Sequence, residues 1–177
     1  MYQIVITSPL CGKVYQDLIT ILIQRSDSFL FHLPNMGKVL INERNAEFMP
    51  EYPLGYTEEE DQELHKLYIK RMEQYLDIIQ NDIIESHIDT GYLDQVSNIE
   101  IKVFNVSISN KTISFFRKTD DFSKWKYPDM PENPCFLLKG ECLFQCIAHE
   151  NICFLNFYDP KIIKLFKANK IKFFKSE

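Results

Sequence analysis

The chain is poor in glycine, and it lacks the cysteine pattern and the signal pattern that mark secreted proteins. Only five glycines occur in 177 residues, so long flexible loops are not expected. The five cysteines are an odd number with irregular spacing, whereas a secreted disulfide framework usually pairs all of its cysteines. Met1–Thr7 has neither a basic start nor a small-residue cleavage site, so it lacks the pattern of a secretion signal. These absences predict a protein of the reducing cytoplasm.

Long apolar runs and a surplus of basic charge are also missing. The apolar runs fall far short of the roughly 20 residues that span a bilayer, so no membrane partner is expected. The formal net charge is −5, and a negative chain repels phosphates, so general nucleic-acid binding is not expected either. Thr7–Lys13 has a single glycine and departs from the G-x-x-x-x-G-K-[ST] pattern of phosphate-binding loops.

Apolar residues make up 45% of the chain and aromatic residues 14%, which is typical of a folded protein with a substantial core. At this length, one domain covering residues 1–177 is predicted. Short β-branched runs predict strands over Tyr2–Thr7 and Ser28–Leu33, and apolar residues at helical spacing predict a helix over Val14–Gln24. Pro34–Gly55 is either an irregular loop or a small hairpin.

The clearest helical pattern runs from Thr57 to about Asp89. Thr57 and Glu60 have the spacing of a capping box, and apolar residues then follow one helix face. The residues on that face are Leu64, Tyr68, Met72, Tyr75, Ile79 and Ile83. Further apolar residues, including Ile78, lie off that line, so the apolar surface is wider than one sheet face covers. A helix of roughly 30 residues is predicted, and its part around Tyr75–Ile84, which includes Ile78, is expected to form a homodimer contact with a second copy related by a twofold axis.

After this helix the apolar period changes to two, which predicts an antiparallel sheet and an α+β fold with the long amphipathic helix packed on that sheet. The predicted strands are Ile99–Ile108, Thr112–Arg117, Cys135–Leu138, Glu141–His149 and Ile152–Tyr158. Pro160–Ala168 is predicted to be a short helix with proline in its first turn.

Cys142, Cys146, His149 and Cys153 have the spacing C-x3-C-x2-H-x3-C and are candidate metal ligands. Structural zinc sites prefer closer pairs within tight turns. In a hairpin whose turn centres on Glu150-Asn151, alternation places the three cysteines on one face among Phe and Leu, and His149 on the other. Core cysteines are therefore the preferred interpretation, and a metal site or a reactive thiol is the alternative. No metal and no cofactor is predicted.

His149 and Glu150 are a candidate pair for general acid and base catalysis. Adjacent residues of a strand point to opposite faces, so the pair acts on one atom only if the chain turns there. The other interpretation is the polar end of a hairpin.

The segment WKYPDMPENPCFLLKG, Trp125–Gly140, contains the only tryptophan of the chain. Three prolines recur in it at every third residue, the repeat of a polyproline II segment: Pro128, Pro131 and Pro134. Such a segment is not expected inside a sheet. One interpretation is a stiff strap with Trp125 as its buried anchor. The other is a recognition ledge on which Trp125 and Tyr127 contact a partner.

The pattern W-x-x-P-x-x-P-E-x-x-x-F, followed by an apolar strand that ends in His-Glu, resembles a poorly characterised group of small proteins from Gram-positive bacteria. Some members are labelled sporulation-stage proteins. The matching residues are Trp125, Pro128, Pro131, Glu132, Phe136, His149 and Glu150. The match covers about the last third of the chain, and Asn133-Pro134 replaces the usual acidic-then-aliphatic pair. The resemblance implies a bacterial or phage cytoplasmic protein and transfers no catalytic residue.

The first functional hypothesis is a non-enzymatic binding protein that masks or inhibits another protein, as immunity and phage counter-defence proteins do. Tyrosine and tryptophan are common anchors of such interfaces, so the candidate binding residues are Trp125, Tyr127, Tyr75 and Ile78. The second hypothesis is an enzyme, a hydrolase or nuclease that uses His149 and Glu150.

Overall fold

The computed structural model describes residues 3–34, 58–89, 101–127 and 129–176, which form four α-helices and eight strands. The helices are α1 Gly12–Arg25, α2 Glu58–Ile79, α3 Asn110–Phe116 and α4 Pro160–Ala168. The strands are β1 Ile4–Ile6, β2 Ser28–Pro34, β3 Ile83–Asp89, β4 Ile101–Ser107, β5 Glu132–Leu138, β6 Glu141–Ile147, β7 Ile152–Leu155 and β8 Phe173–Lys175. The predicted α+β class is confirmed.

The eight strands form one antiparallel sheet in the order β3-β4-β2-β5-β6-β7-β1-β8. Phe29 of β2 pairs with Phe136 of β5, and Phe136 pairs with Phe144 of β6. These three side chains are fully buried on one face of the sheet, where they meet buried residues of α1, α3 and α4. The main core therefore lies between this face and the helices.

The end of α1 contacts the start of α4 through Asp159. The Asp159 carboxylate accepts a hydrogen bond from the Lys161 backbone N–H at 2.8 Å, which caps α4, and a guanidinium nitrogen of Arg25 lies 2.9 Å from its other oxygen. The predicted helix Pro160–Ala168 is confirmed, and the predicted helix Val14–Gln24 differs from α1 by one or two residues at each end.

The predicted helix from Thr57 to about Asp89 is wrong in its last third. Thr57 lies outside the described residues, and α2 ends at Ile79. A short 3₁₀ turn, Gln80–Asp82, follows, and the chain then enters β3, which pairs with β4 from Ile83 onward. Polar residues with a preference for turns interrupt the helix there, and the β-branched residues beyond them pair with a strand that is distant in sequence.

The strand predicted over Thr112–Arg117 is also wrong, because these residues belong to α3. The Ser109 hydroxyl accepts hydrogen bonds from the backbone N–H groups of Lys111 and Thr112. The Thr112 hydroxyl in turn accepts from the Ser109 N–H at 2.7 Å, which completes a capping box. The helix that this cap starts carries Phe115 and Phe116 into the core.

The prediction that the proline segment stays out of the sheet fails at Pro134, which lies within β5, between β2 and β6. Leu30 pairs with Cys135 and His32 pairs with Glu132, so β5 has one extra residue between these positions. This irregularity resembles a β-bulge, one of the few sheet positions that tolerate proline. Asn133 adopts a positive φ of 52°, and its side-chain oxygen accepts from the Ala148 N–H at 3.1 Å. Pro128 and most of Pro34–Gly55 lie outside the described residues.

Candidate functional site

A cavity of about 890 Å³ opens between α1, α2, α3 and residues 117–120, 124 and 129–130, and we call it the helix cleft. Its aromatic lining comes from three different parts of the chain: Tyr15 of α1, Tyr75 of α2 and Phe116 of α3. Tyr15 and Phe116 are fully buried and lie beneath the cleft as its floor, whereas Tyr75 is half-buried and reaches its surface. The volume is within the range of small-molecule and peptide side-chain pockets, roughly 300–1,000 Å³.

Trp125 supports this floor from the core. Its indole N–H donates to the Tyr15 hydroxyl at 3.2 Å, and that hydroxyl donates to the Phe116 carbonyl at 2.9 Å. Burial raises the pKa of Tyr15 far above its usual value, so the hydroxyl stays neutral and keeps both hydrogen bonds. The Trp125 side chain has no exposed surface, so it is a buried anchor, and its assignment as a partner-binding residue is wrong.

The rim of the helix cleft carries both signs of charge. A guanidinium nitrogen of Arg71 lies 3.2 Å from an Asp129 oxygen, and the ammonium of Lys124 lies 3.3 Å from an Asp120 oxygen. The third acid of the lining, Asp17, pairs with Lys13 at 3.1 Å. The acids of the lining are thus each paired with a cation.

Arg117 and Lys118 are the two cations of the lining that have no carboxylate partner among the described residues. Both side chains are exposed, and they follow directly after α3. The helix cleft therefore has local positive charge on a chain whose net charge is −5. Such a contrast favours an anionic ligand at this position of the surface.

The other candidate binding residues lie in different places. Tyr75 lines the helix cleft and packs edge-on against Phe115, with ring centroids 5.7 Å apart. Ile78 is half-buried and packs against the hydrophobic core. Tyr127 is outside the lining of the helix cleft, and its ring contacts Tyr68 at 4.8 Å. Of these residues, only Tyr75 belongs to the helix cleft.

His149 contacts a carboxylate, but not the one that the sequence predicts. Its Nε2 lies 3.2 Å from an oxygen of Glu132, which is 17 residues earlier in the chain and lies at the start of β5. The hydrogen bond to Glu132 raises the pKa of His149, although partial burial opposes this. Glu150 is exposed in the turn between β6 and β7. Neither His149 nor Glu132 lines the helix cleft.

The cysteines of β6 and β7 follow the predicted pattern except at Cys142. Cys146 pairs directly with Cys153 across the hairpin, both are buried, and His149 is exposed. Phe136 pairs with Phe144 while Leu137 pairs with Cys142, and this irregular register turns Cys142 away from the Phe144 face. Its sulfur lies 3.0 Å from that of Cys135. Among the described residues, no group of three His, Cys, Asp or Glu is placed to hold a metal ion.

Four residues of these two sites were not predicted from the sequence as site residues: Arg71, Arg117, Lys118 and Glu132. The sequence contains one local signal for the cleft cations, the Arg-Lys pair that directly follows the capped helix α3. Glu132 has no comparable signal, because its contact with His149 depends on the pairing of β5 in the sheet.

No helix in the described part of the chain is both long enough and apolar enough to span a bilayer. Comparisons of the chain with protein-family models, with curated proteins and with solved structures find no match.

Proposed function

We propose that this chain is a non-enzymatic binding protein that masks or inhibits another protein by holding an acidic segment of it in the helix cleft. The observation that carries this proposal is the combination of an aromatic lining with two rim cations, Arg117 and Lys118, that have no carboxylate partner among the described residues. An acidic segment with an apolar or aromatic side chain at its centre complements both features. The anchor packs on the half-buried ring of Tyr75, and carboxylates on either side meet Arg117 and Lys118.

The charge distribution favours a protein partner over a nucleic acid. A nucleic-acid site usually extends as a basic stripe, whereas the cations of the helix cleft are interspersed with three carboxylates. A short acidic segment needs only a few cations, and the paired acids on the rim repel additional negative charge. Selectivity for a defined acidic segment follows from this arrangement.

The proposed setting is the cytoplasm of a bacterium or of a phage-infected cell, and the proposed class is the immunity or counter-defence type. All five cysteines are free thiols, which supports a reducing compartment. The resemblance to the Gram-positive group supports a bacterial origin, and two residues of its pattern, Glu132 and His149, contact each other here.

The alternative function, a hydrolase or nuclease, is supported by the His149–Glu132 contact. A carboxylate 3.2 Å from an imidazole can orient it as a general base, so Glu132 replaces Glu150 in this alternative. The pair lies outside the helix cleft. The concave site and the catalytic candidates are therefore in separate places, which favours the binding function.

The binding proposal is tested by charge reversal in the helix cleft. The variant is Arg117→Glu with Lys118→Glu, and the matched control is Lys164→Glu with Lys167→Glu on the exposed face of α4, which makes the same change in net charge. The unmodified protein is used to capture its partner from a lysate of the native host, and affinities for the purified partner are then measured by calorimetry. We expect the cleft variant to bind at least about tenfold more weakly and the control to bind normally.

Two results would contradict the proposal. Equal affinities of the cleft variant and the control for the partner would show that the helix cleft is not the binding site. A lysate from which the unmodified protein retains no partner would argue against the binding function itself. Activity against ester or nucleic-acid substrates that is lost in His149→Ala would instead support the enzyme.

A further inference from the structure

Cys135 of β5 and Cys142 of β6 form a thiol pair on two adjacent strands. Their sulfurs are 3.0 Å apart, and a disulfide bond closes at about 2.05 Å, so an approach of about 1 Å separates the two states. The irregular register of β5 and β6 produces this contact, since it brings Cys142 to the sheet face that carries Cys135. Cysteine spacing in the sequence did not predict this contact.

The two thiols differ in exposure and in acidity. Cys135 is 7% exposed, whereas Cys142 is half-buried and accessible from solvent. The Cys135 thiol donates its hydrogen bond to Cys142, and this bond raises the pKa of Cys135 and lowers the pKa of Cys142. Because the thiolate is the nucleophilic form, Cys142 is the attacking thiol and Cys135 is the resolving thiol.

We propose that Cys135 and Cys142 are a reversible dithiol–disulfide site that reacts with low-molecular-weight disulfides. The Cys142 thiolate attacks one sulfur of the reagent, whose S–S bond breaks, and one half of the reagent leaves as a thiolate. Cys135 then loses its proton and attacks the Cys142 sulfur of the mixed disulfide. The Cys135–Cys142 bond forms and the second half of the reagent leaves. The protein gives up two electrons and two protons, and one small disulfide becomes two thiols.

The three remaining cysteines, Cys11, Cys146 and Cys153, serve as internal controls for the reactivity of the pair. Cys146 and Cys153 are also neighbours across a hairpin, but both are buried, and the contact with Cys146 together with burial raises the pKa of Cys153 well above its usual value. Cys11 is exposed, and the described residues give it no thiol contact like the one between Cys135 and Cys142. Accessibility and a neighbouring thiol occur together only at Cys135 and Cys142, so this pair alone is expected to cycle.

The test is thiol mapping of the folded full-length chain in mixtures of oxidised and reduced glutathione. After incubation, free thiols are alkylated under denaturing conditions, and the chain is cleaved after Lys139, which separates Cys135 from Cys142. We expect a disulfide-linked pair of peptides containing Cys135 and Cys142, with Cys146 and Cys153 still alkylated. Excess reduced glutathione should restore alkylation of both. Cys11 should form at most a mixed disulfide.

Single substitutions test the two roles. In Cys135→Ser, the reaction should stop at a glutathione adduct on Cys142, whereas in Cys142→Ser, Cys135 should remain unmodified. Cys146→Ser should leave formation of the Cys135–Cys142 bond unchanged. If Cys135→Ser does not fold, as judged by circular dichroism, Cys135→Ala replaces it.

The proposal is overturned if Cys135 and Cys142 both stay alkylated under conditions that modify Cys11. It is equally overturned if Cys135 reacts at the same rate in Cys142→Ser as in the unmodified chain. The pair lies outside the helix cleft, so these results are independent of the binding proposal.

Discussion

Trp125 shows how one side chain connects the core to the surface site. Its ring centroid lies 5.5 Å from that of Phe115 and 5.5 Å from that of Phe116, and its N–H reaches the Tyr15 hydroxyl. Tyr15 and Phe116 are the floor of the helix cleft. The position of the floor therefore depends on a residue that no ligand touches, as is usual for sites on packed elements.

We expect Trp125→Ala to lower the free energy of unfolding by about 3–5 kcal/mol, the usual range for removing a well-buried large aromatic side chain. The change also leaves the Tyr15 hydroxyl without its donor. Urea unfolding followed by circular dichroism measures the effect, because the substitution removes the only tryptophan fluorophore. Tyr15→Phe is the matched control and should cost less, about 1–3 kcal/mol, since only hydrogen bonds are lost. Near-equal stability of Trp125→Ala and the unmodified protein would contradict burial of the indole.

The His149–Glu132 contact predicts a pH dependence. The pKa of His149 is higher in the folded state than its unfolded value of ~6.5, so the contribution of this pair to stability is fully present below that pH and is lost as pH rises through the folded pKa. We expect the imidazole of His149 to titrate above the usual pH in NMR spectra and to return towards the usual value in Glu132→Gln. The same titration midpoint in both proteins would rule out the contact.

The Ser109 side chain connects α3 with the 3₁₀ turn Gln80–Asp82. Its hydroxyl caps α3 and also donates at 2.8 Å to the carboxylate of Asp82, the last residue of the 3₁₀ turn that follows α2. One side chain thus determines where a helix begins and how it sits against the preceding helix. The cap at Ser109 also explains why the β-branched residues Thr112 and Ile113 lie in a helix and not in the predicted strand.

We expect Ser109→Ala to destabilise the protein by about 1–2 kcal/mol, the upper range for loss of an N-cap, because the contact with Asp82 is lost as well. Ser114→Ala is the matched control. The Ser114 hydroxyl is exposed and bonds only to a carbonyl within its own helix, so the change should stay within about 0.5 kcal/mol. Thermal melts of both variants measure these changes in stability. Equal melting temperatures for the two would show that the cap contributes nothing.

At the scale of the whole molecule, the predicted homodimer remains a proposal, but its contact surface changes. Ile78 is half-buried against the core, so Ile78→Glu would disturb the fold as well as any assembly. Exposed apolar residues lie instead on α2 and β3: Leu67, Ile69, Ile84 and Ile88. Within the described residues β3 pairs with β4 alone, and we propose that its outer edge contacts a second copy related by a twofold axis.

We expect the unmodified protein to be a dimer and Ile84→Glu with Ile88→Glu to be a monomer with an unchanged circular dichroism spectrum. Ile84 and Ile88 are 59% and 57% exposed, so the charges are tolerated in the monomer. Light scattering coupled to size-exclusion chromatography measures the mass of each. A monomer for the unmodified protein at micromolar concentration would refute the dimer.

Local sequence patterns determined the elements that form from neighbouring residues. The helix α4, most of α1 and the strand β2 follow from apolar periodicity, proline position and β-branched runs, because each of these acts over a few residues. The burial of Cys146 and Cys153 follows from strand alternation around a turn at Glu150. These features needed no knowledge of distant contacts.

Only the tertiary structure decided the features that join distant parts of the chain. The end of α2 at Ile79 depends on β3 pairing with β4, and the entry of Pro134 into the sheet depends on an irregular register against β2. The Cys135–Cys142 and His149–Glu132 contacts depend on how β5 pairs with its neighbours. The helix cleft combines α1, α2 and the residues after α3. Such sites come from long-range pairing, and a shift of one residue in that pairing would turn these side chains to the opposite face of the sheet.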